Sequence, residues 1–257
     1  MRFTRRQILP AFAAGLVAPA RAAPADATQW LRDRLREAAR TGAAVRLPPG
    51  VTATRSITLE TPATIVGAGA TLRLIGPGPL LRAEGLAALT LEGLVCDGGG
   101  APFADRRTAL VEFADIPRLA IHGCTFRRSA GRGVSLARCG GRFAQNIVED
   151  VRDAGYFSLD GLGVDIAGNK IRRCGDNGVQ VFTSTAGRYE GSRIRDNEIV
   201  DIRNLSGGDG PYGNGVLIWG AGFLRVEKNV IRRCAYTAVR NNAGCDIEVV
   251  GNDCKGF

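Results

Sequence analysis

One histidine in 257 residues is too few for most metal and general-base chemistry, and no Cys-x-x-Cys pair supplies the usual zinc spacing. His122 sits at an outward strand position beside a turn, with no nucleophile near it in sequence, and reads as a surface residue. No clustered aspartate pair of the kind glycoside hydrolases need is present. An aspartate-rich calcium loop is also missing. The stretch 208–213 spells Gly-x-Gly-x-x-Gly, but it contains proline and opens no helix, which excludes dinucleotide binding. Neither a metal nor a cofactor is therefore expected. The longest apolar run, residues 11–20, falls short of the roughly 20 residues a permanent membrane span requires.

What is present is a repeat. Six times the chain writes alternating apolar residues, a turn residue, then further inward positions. The turn residues are Cys124, Asn146, Asn169, Asn197, Asn229 and Asn252, in steps of 22, 23, 28, 32 and 23. Before each turn, pairs such as Leu119/Ile121 and Val164/Ile166 alternate inward; after it come Phe126, Val148, Ile171, Ile199, Ile231 and Cys254. A third run follows, in which Val134/Leu136, Phe157/Leu159, Val179/Val181 and Val216/Ile218 read as inward pairs. A period in the low twenties with strand alternation is a solenoid signature. Three short strands per coil give an all-β, right-handed parallel β-helix, with each strand pairing one coil away, roughly 4.8 Å along the axis. The asparagines are expected to stack as a structural ladder, since asparagine tolerates the left-handed backbone and hydrogen-bonds along such a column.

The seven cysteines fit this frame. Cys174 and Cys234 share a column with Ile202 between them, roughly 9–10 Å apart and beyond disulfide reach. They read as small buried hydrophobes. Residues 27–40 read as a helix with Trp30, Leu31, Leu35 and Ala38 on one face, ended by Thr41-Gly42 and placed to plug the open end of the solenoid. Less regular early coils follow. Two insertions, 183–191 and 203–214, interrupt the later ones.

Thr4-Arg5-Arg6-Gln7-Ile8-Leu9, the apolar run and Ala20-Arg21-Ala22 make residues 1–22 a twin-arginine export signal, leaving 23–257 as the β-helix domain. The expected location is periplasmic or secreted, with the export machinery as a partner. Removing the four arginines of the signal lowers the net charge from +9 to +5. Nucleic acid is then an unlikely partner, whereas a mild positive field suits an acidic polysaccharide or an anionic envelope surface.

The helix followed by VRLPPG, then GAGATLRL and LTLEGLVCDGGG, resembles the N-terminal cap and first coils of the pectin-lyase-like superfamily of right-handed β-helices. With the export signal, the chain is similar to a family known as twin-arginine-translocated repeat proteins of unassigned function. The resemblance spans essentially the whole mature chain and implies the fold, not an activity. It also implies more coils than are present: the chain stops at Phe257 partway through one, as a piece of a longer β-helix would. The Asp-Pro-His-Glu signature of alginate epimerases is absent.

The candidate site is the outward column of the third strand, Ser135, Ser158, Gln180, Leu217 and Arg240, beside Asp160, Phe182, Trp219 and Asn242. Both insertions flank this face and are placed to wall a groove. Trp219 suits stacking on a sugar ring. Arg240, Tyr212 or Tyr236 suits a lyase base or a carboxylate ligand, with Arg240 and Tyr212 the catalytic candidates. Asp176, Asn177, Asp209 and Asn214 supply polar contacts. The competing structural reading has all these residues capping and solvating the coils. Two functions follow: binding or lyase-like processing of an acidic polysaccharide, or a non-enzymatic envelope scaffold. A phage-type adhesin fits less well, because twin-arginine export is an unusual route for one. Arg5→Lys with Arg6→Lys is expected to hold unprocessed protein in the cytoplasm, because the export receptor reads paired guanidinium groups. Cell fractionation checks this; normal processing would mean that another pathway carries the protein.

Overall fold

The computed structural model describes residues 26–256. The expected signal at 1–22, most of the linker after it and Phe257 lie outside the described residues. From Val45 onward the chain winds through three parallel sheets of 9, 9 and 8 strands. The first sheet runs from Val45–Arg46 to Glu248–Val250, the second from Gly50–Thr54 to Asp253–Lys255, and the third from Ile57–Leu59 to Thr237–Asn242. Consecutive strands belong to different sheets, so every ladder joins one coil to the next, as expected of a right-handed parallel β-helix. Ile171 lies opposite Ile199, and Ile199 opposite Ile231, all fully buried.

The early coils are more regular than expected. Ile57–Leu59, Ala63–Val66, Ala70–Leu74, Leu81–Glu84 and Ala88–Glu92 each take their place in a sheet. They lack the asparagine mark, but pairing needs only alternation and an exposed ladder edge.

The asparagine ladder is continuous. Each Oδ1 accepts the backbone N–H of the turn residue one coil before it, from Cys124 to Asn146 (2.9 Å) through to Asn229 and Asn252 (2.9 Å). Each Nδ2 donates to a first-sheet carbonyl, such as Asn197 to Ile166 at 2.9 Å. The left-handed residue is not the asparagine, as expected, but the one before it: Gln145, Gly168, Asp196, Lys228 and Gly251 all have φ between 54° and 64°. The other two corners use left-handed residues too. Arg128, Asp150, Arg173, Asp201 and Arg233 turn from the second sheet to the third. Their signs alternate, so Arg173 meets Asp150 at 2.7 Å and Arg233 meets Asp201 at 2.5 Å. Hydrogen bonds from these arginines hold both aspartates below the usual carboxylate range. Such exposed, solvent-screened pairs add little to stability. Their arrangement mainly keeps like charges from stacking.

One register differs from expectation. In Tyr156–Leu159, Tyr156 and Ser158 face the core, and Phe157 and Leu159 face out. A one-residue slip exchanges the two faces. The controlling signal is glycine: Gly155 aligns with Gly133, Gly178 and Gly215, each followed by an inward residue. At Gly178 a Cβ would meet Gly215 O and Ile199 Cγ2 at 2.5 Å, so only glycine permits this approach. The column outranks hydrophobicity and sends Phe157 outward.

One helix among the described residues, α1 (Thr28–Thr41), covers the first coil. It buries Leu31 and packs Trp30, Leu35 and Ala38 against the core. Gly42, at φ 70°, donates its N–H to Ala38 O at 2.8 Å and closes the helix. Cys96, Cys124, Cys139, Cys174 and Cys234 are buried, Cys245 and Cys254 exposed, and all seven are free. Burial pushes the Cys124 and Cys139 thiols up to about 11, so they act as core hydrophobes, not nucleophiles. Ile199→Ala is expected to cost about 2–5 kcal/mol through the cavity it leaves. Asn197→Ala should be comparably severe, because it strands buried donors and acceptors on two coils. Denaturant melts of the two variants check both; a near-neutral Asn197→Ala would show that the ladder is not needed.

Candidate functional site

The outer face of the third sheet presents two columns. One runs Glu112, Ser135, Phe157, Gln180, Leu217, Arg240; the other runs Ala114, Ala137, Leu159, Phe182, Trp219, Asn242. Ser158 and Asp160, expected here, lie elsewhere. Ser158 is in the core, and Asp160 is a buried left-handed corner whose carboxylate accepts the Ser184 N–H at 2.8 Å. Phe157 and Leu159 take their places on the face. The result is a continuous apolar floor: Phe157 and Phe182 rings lie 5.4 Å apart edge-on, and Phe182 and Trp219 6.2 Å apart. Trp219 is 49% exposed although its strand is paired on both sides.

Two loops wall this floor into an open groove of about 520 Å³. One is the 203–214 insertion, which brings Pro211 and Tyr212. The other, residues 98–108, brings Arg106 and Arg107. Arg106 spans the gap between the loops. Its Nη2 donates to Tyr212 Oη at 2.8 Å, and its Nη1 donates to Asp176 Oδ2 at 3.2 Å. Asp176 is fully buried and also accepts the Ser206 N–H (2.8 Å) and Oγ–H (2.6 Å), so it ties the insertion down. One coil earlier, Asp153 faces Arg132 Nε at 3.3 Å. The Arg132 guanidinium lies 3.7 Å over the Phe157 ring. Burial raises the Asp153 carboxyl above its ordinary value, helped by neighbouring Asp176 and opposed by Arg132 and Arg106. Burial likewise lowers Arg132.

The expected site residues separate into three groups. Gln180, Trp219 and Tyr212 line the groove, and Asp176 underpins its wall. Asn177 and Asn214 belong to a second, shorter ladder: Asn177 Oδ1 accepts the Asn214 N–H and Nδ2–H, both at 3.0 Å, and Asn214 Oδ1 accepts from Thr237 at 2.7 Å. Both are fully buried and hold the insertion's ends. Arg240 lies under the insertion, 5.4 Å from the Tyr236 ring and so close to Gly210 that a side chain there would collide with it. Neither Arg240, Tyr236 nor the exposed Asp209 lines the groove. Arg106, Arg107, Arg132 and Asp153 were not anticipated. The stretch 98–107, three glycines followed by Ala-Pro-Phe-Ala-Asp-Arg-Arg, carried the signal: it breaks strand alternation as the two recognised insertions do.

The first insertion, 183–191, borders the Trp219 end of the same face. Its Arg188–Tyr189 strand pairs with Ala221–Gly222. It is anchored by the fully buried Glu190, whose Oε1 accepts from Ser192 Oγ at 2.8 Å and whose Oε2 accepts the Ser192 N–H at 2.9 Å. Among the described residues, no group of three or more His, Cys, Asp or Glu side chains converges as metal ligands do, and no helix is long and apolar enough to cross a membrane.

A three-sheet parallel solenoid with a loop-walled groove on one face defines a β-helix protein. The chain belongs to the right-handed β-helix family, matching it over residues 105–255. Among solved structures it is similar to the A-module of the Azotobacter vinelandii mannuronan C-5 epimerase AlgE4, with a TM-score of 0.63 and 16% identity over 88% of this chain and 73% of that one. That likeness is one of fold. No curated protein matches the chain by sequence.

Burial raises the Glu190 carboxyl, so the folded state binds its proton more tightly than the unfolded chain does. The stability this contributes is complete at low pH and is lost as pH rises through the folded value. Glu190→Gln keeps an acceptor for Ser192 without the charge. The melting temperature of the variant minus that of the parent is therefore expected to increase between about pH 4 and about pH 8. A flat difference across that range would mean that burial does not raise the Glu190 carboxyl.

Proposed function

We propose that this protein is exported and binds an acidic polysaccharide in the groove on its third sheet, with lyase-type chemistry centred on Tyr212. One observation carries the reading: three arginines, 106, 107 and 132, share an open groove with an apolar floor running through Phe182 to an exposed tryptophan. Aromatic faces pack on the C–H face of a sugar ring, and guanidinium groups pair with uronate carboxylates. The epimerase module that shares this solenoid takes mannuronan as substrate, which supports a polyuronate ligand. Epimerisation is not proposed, because the Asp-Pro-His-Glu signature is missing.

Elimination from a polyuronate needs the carboxylate neutralised, the proton beside it removed, and the glycosidic oxygen on the neighbouring carbon expelled as the double bond forms. Arg132 and Arg107 are the neutralising candidates. Tyr212, its hydroxyl held at the groove wall by Arg106, is the candidate base. Arg240 drops out of this role, because the insertion lies between it and the groove lining.

A non-enzymatic envelope module is the second reading. Its support is that Arg106 and Asp176 are already committed to protein partners. The two readings differ on turnover. Titration of the exported protein with polygalacturonate and mannuronan is expected to show binding, weakened about tenfold by Trp219→Ala, the scale of one lost stacking contact. Arg107→Gln should weaken binding and lessen its salt dependence. Tyr212→Phe should bind normally while abolishing release of unsaturated, ultraviolet-absorbing products. Binding without such products from the parent removes the lyase reading; absence of binding to either polymer overturns the polysaccharide reading and leaves the scaffold one.

A further inference from the structure

Gln180 stands at the centre of the groove floor. It is only 4% exposed, and its Oε1 has no hydrogen-bond donor. Its column neighbours on the adjoining coils are Phe157 and Leu217, neither of which carries a polar side-chain atom. Along its own strand, Val179 and Val181 point into the core. Neither its column neighbours nor its strand neighbours offer a side-chain donor to this oxygen. A buried acceptor left unpaired costs about 1–3 kcal/mol, and leucine at this position would fit the apolar floor without that cost. Beside the Phe157 ring, Arg132 Nε is also buried; it is ion-paired with Asp153 Oδ2 at 3.3 Å but makes no aligned hydrogen bond. The floor therefore holds an unpaired acceptor and, next to one aromatic ring, a guanidinium whose Nε makes no hydrogen bond.

We infer that Gln180 is a specificity-determining residue of the groove, its amide oxygen accepting a hydroxyl of a bound sugar while Arg132 donates to an adjacent oxygen. The inference rests on the polysaccharide reading and adds to it which ligand group is read and by what. Saccharides fit because each ring offers hydroxyl donors and ring or carboxylate acceptors on neighbouring carbons, beside a C–H face for the Phe182–Trp219 floor. A site with a buried acceptor discriminates against ligands lacking the matching donor, because the acceptor then stays unpaired.

The role separates from a structural one by measuring stability and binding together. Gln180→Leu is expected to leave the melting temperature unchanged or raise it, while affinity for an oligogalacturonate hexamer falls about tenfold. Gln180→Glu still accepts a hydroxyl but repels a carboxylate. It should hold a carboxyl-reduced, neutral hexamer as well as the parent does and bind the acidic hexamer more weakly. A melting temperature that drops by several degrees in Gln180→Leu would make the amide structural and overturn the inference. So would parent-like affinity for the acidic hexamer in that variant; if Trp219→Ala had meanwhile lost binding, the polysaccharide reading would stand and this inference alone would fall. A parent protein that binds neither hexamer would remove both.

Discussion

The backbone hydrogen bonds of each coil point along the solenoid axis, so a coil is satisfied only by the coils before and after it. The rest of the structure follows from that constraint. Side chains at equivalent positions become neighbours, and each column has to be self-compatible. Isoleucine stacks on isoleucine in the core, asparagine on asparagine at one corner, and arginine on aspartate at another. The end coil has no predecessor, and α1 covers it by burying Leu31 over the first sheet strands.

Corners are the costly part of such a chain, because each needs a left-handed residue in a short turn. The protein fills many of these positions with arginine, aspartate and lysine instead of glycine. The strain is modest for residues held on both sides by paired strands, and a long polar side chain there can reach across to the next coil. The asparagine ladder complements this: the residue before each asparagine makes the turn, and the asparagine itself ties two coils together through three of its polar groups.

The same constraint makes the groove possible. A rigid stack tolerates insertions at corners without disturbing the ladders, and insertions several coils apart can meet over one sheet face. The 98–108 loop and the 203–214 insertion are about a hundred residues apart in sequence, yet Arg106 bridges them through Tyr212 and Asp176. The floor between them keeps an aromatic edge in solvent and the Gln180 amide oxygen without a hydrogen-bond partner.

The sequence by itself determined the solenoid, its period, the buried isoleucine column and the asparagine ladder, because a strictly repeated strand pattern has one way to stack. It also placed Trp219, Gln180 and Tyr212 on or beside the third-sheet face that carries the groove. It misread the turn by one residue and the Tyr156–Leu159 strand by one register, since a hydrophobicity pattern cannot outrank a glycine column that only close packing makes visible. The tertiary structure alone decided which polar residues are free. Asn177 and Asn214 look like ligand contacts in sequence but are bound to each other. Arg240 shares the groove's column, but the insertion covers it. Arg106 and Arg107 belong to no repeat position that marks them, and only the meeting of two distant loops over one sheet brings them to the groove.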